Sequence, residues 1–356
     1  MRVMIAPDSF GDTLTAVDAC DAMTEGWLTS RPSDSVLAAP RSDGGPGFVD
    51  VLAESSGLAS ASPSVRSATV RGPLDDDVEA RWLCADGVAY VESAQACGLA
   101  LLGRPVSPDT ARRAHSRGVG ELVAHALDAG ATTIVVGLGG SACTDGGRGL
   151  VDALGGLDAA RERLAAVELV AATDVEHALL GREGAAHVFG PQKGADDETI
   201  AWLEDRNVAW ARDLEERAPD VTRAPGAGAA GGLGAALLAL GARRRSGAGV
   251  VADSTEQAAS LRRVDLVLTG EGRLDEQSLR GKVVAALAAA AAEVGVPTVC
   301  LAGQVDVPAE RLAAHGISSA FSLTDFAGST ARAMSEARDQ LVALTAAVAR
   351  DWTAGE

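Results

Sequence analysis

The sequence predicts an α/β protein of two domains, one of them discontinuous. Three observations predict it. The chain has 356 residues, more than one ordinary core organises. Strands and helices alternate at both ends of the chain, and between them lie three β-like runs separated only by turn signals. Composition agrees: 47% of residues are hydrophobic but only 3% aromatic, so the cores must be built from Ala, Val and Leu. Glycine, at 41 residues without a collagen-like period, points to many tight turns.

Taken in order, VMIA is a first short strand and Thr15 to Leu28 has helical spacing. SVLAAP is a second strand, and Gly47 to Ala53 begins another helix. Between Val65 and Glu92 the runs VRSATV, VEARWLC and VAYVE are joined by RGPLDDD and ADG, a meander rather than a crossover pattern. A helix (Val119 to Ala129), the strand TTIVVGL, a Gly loop, a weaker helical stretch and the strand ELVAAT follow. After FGPQKGADD comes a long helix with Trp202 and Trp210, then GAGAAGGLGAALLAL. From Asp253 the first texture returns: helix, DLVLTG, helix (Val283 to Val294), TVCLAG, a short helix, SAFSL and a closing helix to Trp352. Together the two ends give five strands with helical crossovers, which suits a flavodoxin-like parallel sheet of order 2-1-3-4-5. The expected domains are 1–62 with 253–356, and an inserted mixed-sheet α/β domain at 63–252.

The formal charge of -18 argues against a nucleic-acid or anionic-membrane surface, since polyanions would be repelled. Five cysteines, an odd number with no C-x-x-C or His-spaced pattern, read as reduced thiols. MRVMIAPDSF has no apolar run long enough for a signal peptide, and the longest apolar run, Val283 to Ala292, is about half a membrane span. A cytoplasmic protein is expected, with no nucleic-acid or membrane partner; a homodimer is left open.

The expected site follows from topology. In a 2-1-3-4-5 sheet the ligand crevice lies outside the carboxyl ends of strands 1 and 3, where the order reverses. Those ends read APDSFGD and TGEGRLDEQSLRGK, two carboxylate-bearing turns facing each other. Asp8, beside Ser9, can hold Mg²⁺ or accept a proton; its alternative, capping the next helix, suits Thr13 or Thr15 better. The second turn supplies Gly270, Glu271, Arg273, Asp275 and Lys282. It is not a Walker A loop, because Glu276 stands where the first Gly is needed and Val283 follows the Lys. Lys282 opens a helix, where a cation works against the dipole unless an anion is bound.

Further candidates lie in other loops. Asp43, Gly44 and Gly45 follow strand 2; Gly139, Gly140, Ser141 and Asp145 belong to GLGGSACTDGG, a backbone-rich anion cradle; Asp174 ends the next strand. PGAGAAGG contains G-x-G-x-x-G, but DVTRAP before it is no strand, which disfavours a dinucleotide site and leaves close helix packing or a nucleotide pocket. Of 31 basic residues only Lys193 and Lys282 are Lys, and both sit beside a Gly. A compact, rotatable charge suits a moving phosphoryl group better than the planar fork of Arg.

The ordered motifs APDSF, SDGGPG, GVGELVAHALDAG, GLGGSACTDGG, FGPQKGA, PGAGAAGGLGAALLAL and TGEGRLDEQSLRGK resemble the bacterial glycerate kinases of the glycerate 2-kinase type I family. The resemblance runs from Met1 to about Ser322, and FGPQKGA and TGEGRLD are its specific parts. It implies ATP- and Mg²⁺-dependent phosphorylation of D-glycerate, typically to 2-phosphoglycerate, between a flavodoxin-like domain and one resembling a restriction-endonuclease core. On that reading Asp8, Glu271 and Asp275 supply the base and metal ligands, and Lys193 and Lys282 offset phosphoryl charge. Ser141 and its glycines hold a phosphate or the acceptor carboxylate. Two runs depart from the pattern: Gly11-Asp12-Thr13 replaces the usual Lys-Gly-Ser, and Pro46 replaces the Glu of Asp-Gly-Gly-Glu-Gly. A kinase for another small hydroxy acid, a paralogue that binds such an acid without phosphorylating it, and a nicotinamide-dependent dehydrogenase are the alternatives.

Overall fold

The computed structural model describes residues 1–54, 63–279 and 283–352. Within them run eleven strands: β1 (Arg2–Ile5), β2 (Ser35–Ala38), β3 (Ser64–Arg71), β4 (Asp77–Ala85), β5 (Val88–Glu92), β6 (Thr133–Gly137), β7 (Glu168–Ala172), β8 (Arg243–Arg245), β9 (Leu266–Leu274), β10 (Thr298–Val305) and β11 (Ile317–Ser322). These residues form two compact units, 1–42 with 50–54 and 251–352, and 43–49 with 63–250.

The first unit holds a five-stranded sheet of order β11-β10-β9-β1-β2, parallel throughout. Counted along the chain this is 2-1-3-4-5, so the order reverses between β1 and β9. The period-two alternation of a strand sends Val3 and Ile5 to one face and Met4 to the other. Val3 and Ile5 pack with Trp27 and Leu344 from helices Ala16–Ser30 and Ala337–Asp351. Met4 packs with Val267, Leu287 and Ala291 on the opposite face. Burial on both faces is what makes parallel strands read as continuous apolar runs. Thr15 caps the first helix through its side chain, accepting from the Asp18 N–H at 3.1 Å, so Asp8 is not needed there.

The second unit holds a six-stranded mixed sheet, β3-β4-β5-β6-β7-β8. The predicted meander is its antiparallel half, β3 through β5, and β5 to β8 are parallel. The long predicted helix is Asp197–Arg217, whose first turn is capped by the Asp196 side chain. PGAGAAGG forms no strand-turn-helix. The helical segment Ala229–Ala239 breaks at its start, where Ala230, Gly231 and Gly232 all have positive φ. A Cβ on Gly231 would lie 1.9 Å from the Cys143 carbonyl oxygen, so this glycine serves close packing and the dinucleotide alternative loses its motif. No helix among the described residues is long and apolar enough to cross a membrane.

Candidate active site

In the first unit the two acidic turns meet. Beyond their strands, the Asp8 N–H donates to the Gly270 carbonyl at 2.8 Å and the Gly272 N–H to the Ser9 carbonyl at 3.2 Å. The Asp8 Oδ1 accepts the Ser9 N–H at 2.7 Å, which fixes its carboxylate at the rim. Here a pocket of about 450 Å³ is lined by Asp8, Ser9, Phe10, Asp12, Glu271 and Arg273 on one side. Gln304, Leu323, Thr324, Thr330, Ala333 and Met334 line the other. Sequence reasoning missed this second set, although Gln304 lies at the carboxyl end of β10 and the others follow that of β11, on the same rim of the sheet.

Gly270 is buried inside β9. Arg273 is exposed and donates from Nε to Asp306 at 2.7 Å. Asp275 does not line the pocket; its Oδ1 accepts from the N–H groups of Gln277 and Ser278 at 2.8 and 3.2 Å, organising its own turn. Lys282 lies outside the described residues.

The second unit gathers a different set of groups on the loop after β6. Lys193, 3% exposed, donates from Nζ to Ser141 Oγ at 3.0 Å and to the Cys143 carbonyl at 2.5 Å. Arg206 Nη2 donates to the Thr144 carbonyl at 3.0 Å, and Trp210 Nε1 to that of Gly146 at 3.0 Å. Three carbonyls of one loop are thus drawn towards three donors. Arg206 and Trp210 stand one helical turn apart on Asp197–Arg217, a spacing that put them on one face without revealing the loop they grip.

Burial pushes the Lys193 ammonium below its usual pKa, with the neighbouring Cys143 and Cys97 thiols and Asp145 opposing the shift. Hydrogen bonding to Cys143 and burial push the Cys97 thiol up; the two sulfurs are 3.8 Å apart.

Asp145 accepts from Ser116 N and Oγ at 2.9 and 2.8 Å, from Gly147 N at 3.2 Å and from Gly149 N at 3.0 Å. The N–H groups of Gly147 and Gly149, at the start of the next helix, therefore face the chain's own carboxylate. Asp43 and its two glycines belong to this unit as well, with Asp43 Oδ1 accepting the Gly45 N–H at 3.1 Å. The Gly44-Gly45 turn lies against the β6 loop so closely that a Cβ on Gly139 would sit 2.5 Å from Gly45 Cα. Asp174 Oδ2 accepts the Ala248 N–H at 3.2 Å, at the start of helix Gly247–Ser254. Glu92, only 2% exposed, also went unseen; its Oε2 accepts the Val49 N–H at 3.2 Å, at the first turn of a helix.

A model of the Glycerate kinase family matches residues 3–159 and 156–353. The chain belongs to the glycerate kinase family. Glycerate 2-kinase of Escherichia coli (strain K12) is 36% identical over 373 residues, 96% of this chain and 95% of that one. An uncharacterized protein of Mycobacterium tuberculosis (strain CDC 1551 / Oshkosh) is 54% identical over 352 residues, 98% of this chain and 91% of that one. A solved Salmonella typhimurium LT2 structure, assigned as glycerate kinase 2, superposes with a TM-score of 0.76 at 34% identity, covering 98% and 97% of the two chains. Against the glycerate kinase pattern, the two departing runs have definite places. Gly11, at a φ of +57°, and Asp12 line the pocket of the first unit. Pro46 lies over Gly140 in the second, where a Cβ would meet its ring at 2.6 Å.

Proposed function

We propose that the chain transfers the γ-phosphoryl group of ATP to a hydroxyl of D-glycerate, giving 2-phosphoglycerate. The observation that carries this reading is the meeting of the Asp8 and Glu271 turns in one pocket at the point where the parallel sheet reverses its order. Asp8 accepts the proton of the attacking hydroxyl. Lys193, with Lys282, offsets the charge on the group in flight, and Ser141 with Gly139 and Gly140 receives the acceptor's carboxylate. Phosphoryl transfer is chiefly positioning and electrostatics, so a buried ammonium pinned at 3.0 Å to a loop hydroxyl is a suitable tool.

Mg²⁺ usually takes one or two carboxylates plus phosphate oxygens, so one of the two carboxylates from adjoining turns meets that demand. Glu271 would hold the ion, which would screen the triphosphate, with Asp8 beside it left as the base. Among the described residues no group of three His, Cys, Asp or Glu side chains is placed to hold a metal, so Asp275 is assigned to its turn in this reading. A different small hydroxy acid as acceptor is the second reading, favoured by Pro46, which puts a ring rather than a carboxylate beside the Gly140 loop.

The test is direct measurement of ADP with D-glycerate, L-glycerate, tartronate and longer sugar acids, with ³¹P NMR fixing the phosphorylated position. Mg²⁺-dependent ADP release with D-glycerate is expected. No release with any of these acids would refute the reaction.

A further inference from the structure

We propose that the pocket of the first unit receives the adenosine end of ATP, with its base against Leu323, Ala333 and Met334. The assignment rests on the kinase reading and goes beyond it by separating the nucleotide's place from the acceptor's.

Size is the first ground. Pockets of about 300–1,000 Å³ take ligands of drug or nucleotide size, and this one measures about 450 Å³. D-glycerate has seven heavy atoms; even at the roughly 30 Å³ that a water molecule occupies in the liquid, they fill less than half of it.

Chemistry is the second. Leu323, Ala333 and Met334 give the far wall an apolar part beside the polar Gln304, Thr324 and Thr330, and Met334 is 59% exposed, the most exposed large apolar side chain among the described residues. Methionine is a polarisable residue that packs well on aromatic rings, and its exposure is explained by a flat heterocycle covering it. Gln304 brings an amide, a donor and an acceptor together, and its Nε2 is held 3.4 Å from Thr330 Oγ1. A base edge needs that pair of functions, whereas a three-carbon acid has no group for the apolar wall. At the other end the carboxylates of Asp8, Asp12 and Glu271 outnumber the one cation, Arg273, which is itself paired with Asp306, so the charge there disfavours a bare carboxylate acid. A Mg²⁺-bound triphosphate leaving the adenosine would enter that end.

The experiment uses the full chain carrying Thr330→Trp, an exposed position whose larger ring would fill the pocket mouth without entering the core. Met334→Ala is the companion. Thr330→Trp is expected to raise the KM for ATP at least tenfold and to weaken calorimetric binding of Mg-ADP by the same factor. Met334→Ala should do so about fivefold, and the KM for D-glycerate should stay within twofold in both. A loss falling on D-glycerate instead, or Mg-ADP binding unchanged in both variants, overturns the assignment while the proposed reaction stands. Absence of Mg-ADP binding in the wild type overturns it too. Variant-sensitive ADP binding in a protein that phosphorylates no acid supports the pocket and sinks the reaction.

Discussion

Lysine 193 offers the sharpest test, because its stability and activity should respond in opposite directions. In Lys193→Met the side chain stays unbranched but is one heavy atom shorter, and it loses two hydrogen bonds from the ammonium, at 3.0 Å to Ser141 and 2.5 Å to the Cys143 carbonyl. Hydrogen bonds from charged groups contribute about 1.5–3 kcal/mol each. Against that, the cost of burying an ammonium, itself several kcal/mol, is relieved. The two effects nearly cancel, so stability should change by no more than about 2 kcal/mol, or a Tm shift of roughly 4–8 °C. Turnover has no such offset. Removing one preorganised electrostatic partner should cost on the order of 10²–10³-fold in kcat. Lys193→Arg should not restore it, since a planar fork does not fit where a 3% exposed side chain was.

The pH profile adds a second arm. Burial lowers the folded-state pKa of Lys193 below the ordinary 10.5. As pH rises through that lowered value, the active ammonium is lost and turnover falls. Over the same window, up to about 10.5, the unfolded chain binds more protons than the folded one, so this group's contribution to stability improves. Chromatographic ADP assays and urea melts between pH 7 and 10, wild type against Lys193→Met, measure both. If Lys193→Met kept turnover within threefold, or left the alkaline limb unmoved, the lysine would be a packing residue only.

Other consequences follow from the same geometry. Asp8→Asn should lose at least about 10²-fold in turnover, as a missing general base does, with a melting temperature within 2 °C or so of wild type; a normal rate would remove Asp8 from the chemistry. Asp145→Asn should lower stability by about 3 kcal/mol in urea titrations, because a buried carboxylate serving four donor groups becomes a single acceptor facing N–H groups. Gly231→Ala should cost more than about 3 kcal/mol or abolish soluble yield, given a φ of +68° and a contact of 1.9 Å; a stable protein would refute the observed packing. Under iodoacetamide at pH 8, peptide mass spectrometry should find Cys84 labelled first. Cys20, held by burial at about 12, should stay protected with Cys97, Cys143 and Cys300, and rapid labelling of Cys20 would contradict that.

What the sequence disclosed is the part of the fold carried by local patterns. VMIA and DLVLTG announce β1 and β9 because strands buried on both faces must be continuously apolar, and their pairing followed from counting crossovers. The three Arg of β8 announced nothing. It is a short edge strand with no apolar face to bury, and a charged edge is how sheets discourage further pairing. Glu92 and the Gly45 contact were equally silent, since each depends on a partner dozens of residues away in the chain. The same holds for the pocket wall: Leu323 and Met334 look like ordinary residues of two short helices until β10 and β11 are set beside β9.

The anion cradle is the instructive case. GLGGSACTDGG carries the signature of a phosphate loop, with glycines, hydroxyls and a helix start. Yet the carboxylate of Asp145 already takes the N–H groups of Gly147 and Gly149, as a bound anion would. What remains for a ligand is the stretch before it, Gly139 to Ser141. Its hydroxyl is held by an ammonium rather than by backbone alone. A chain with a net charge of -18 that takes up a polyanion must concentrate its positive charge at a few points. Arginines spread over the surface are mostly committed to carboxylates, as Arg217, Arg273, Arg311 and Arg338 are here. Among the described residues Lys193 hydrogen-bonds a hydroxyl and a carbonyl but no carboxylate, with Asp145 near enough only to act on it electrostatically, so its charge is less committed than theirs. That is the physical reason to expect a phosphoryl group or a carboxylate beside Lys193.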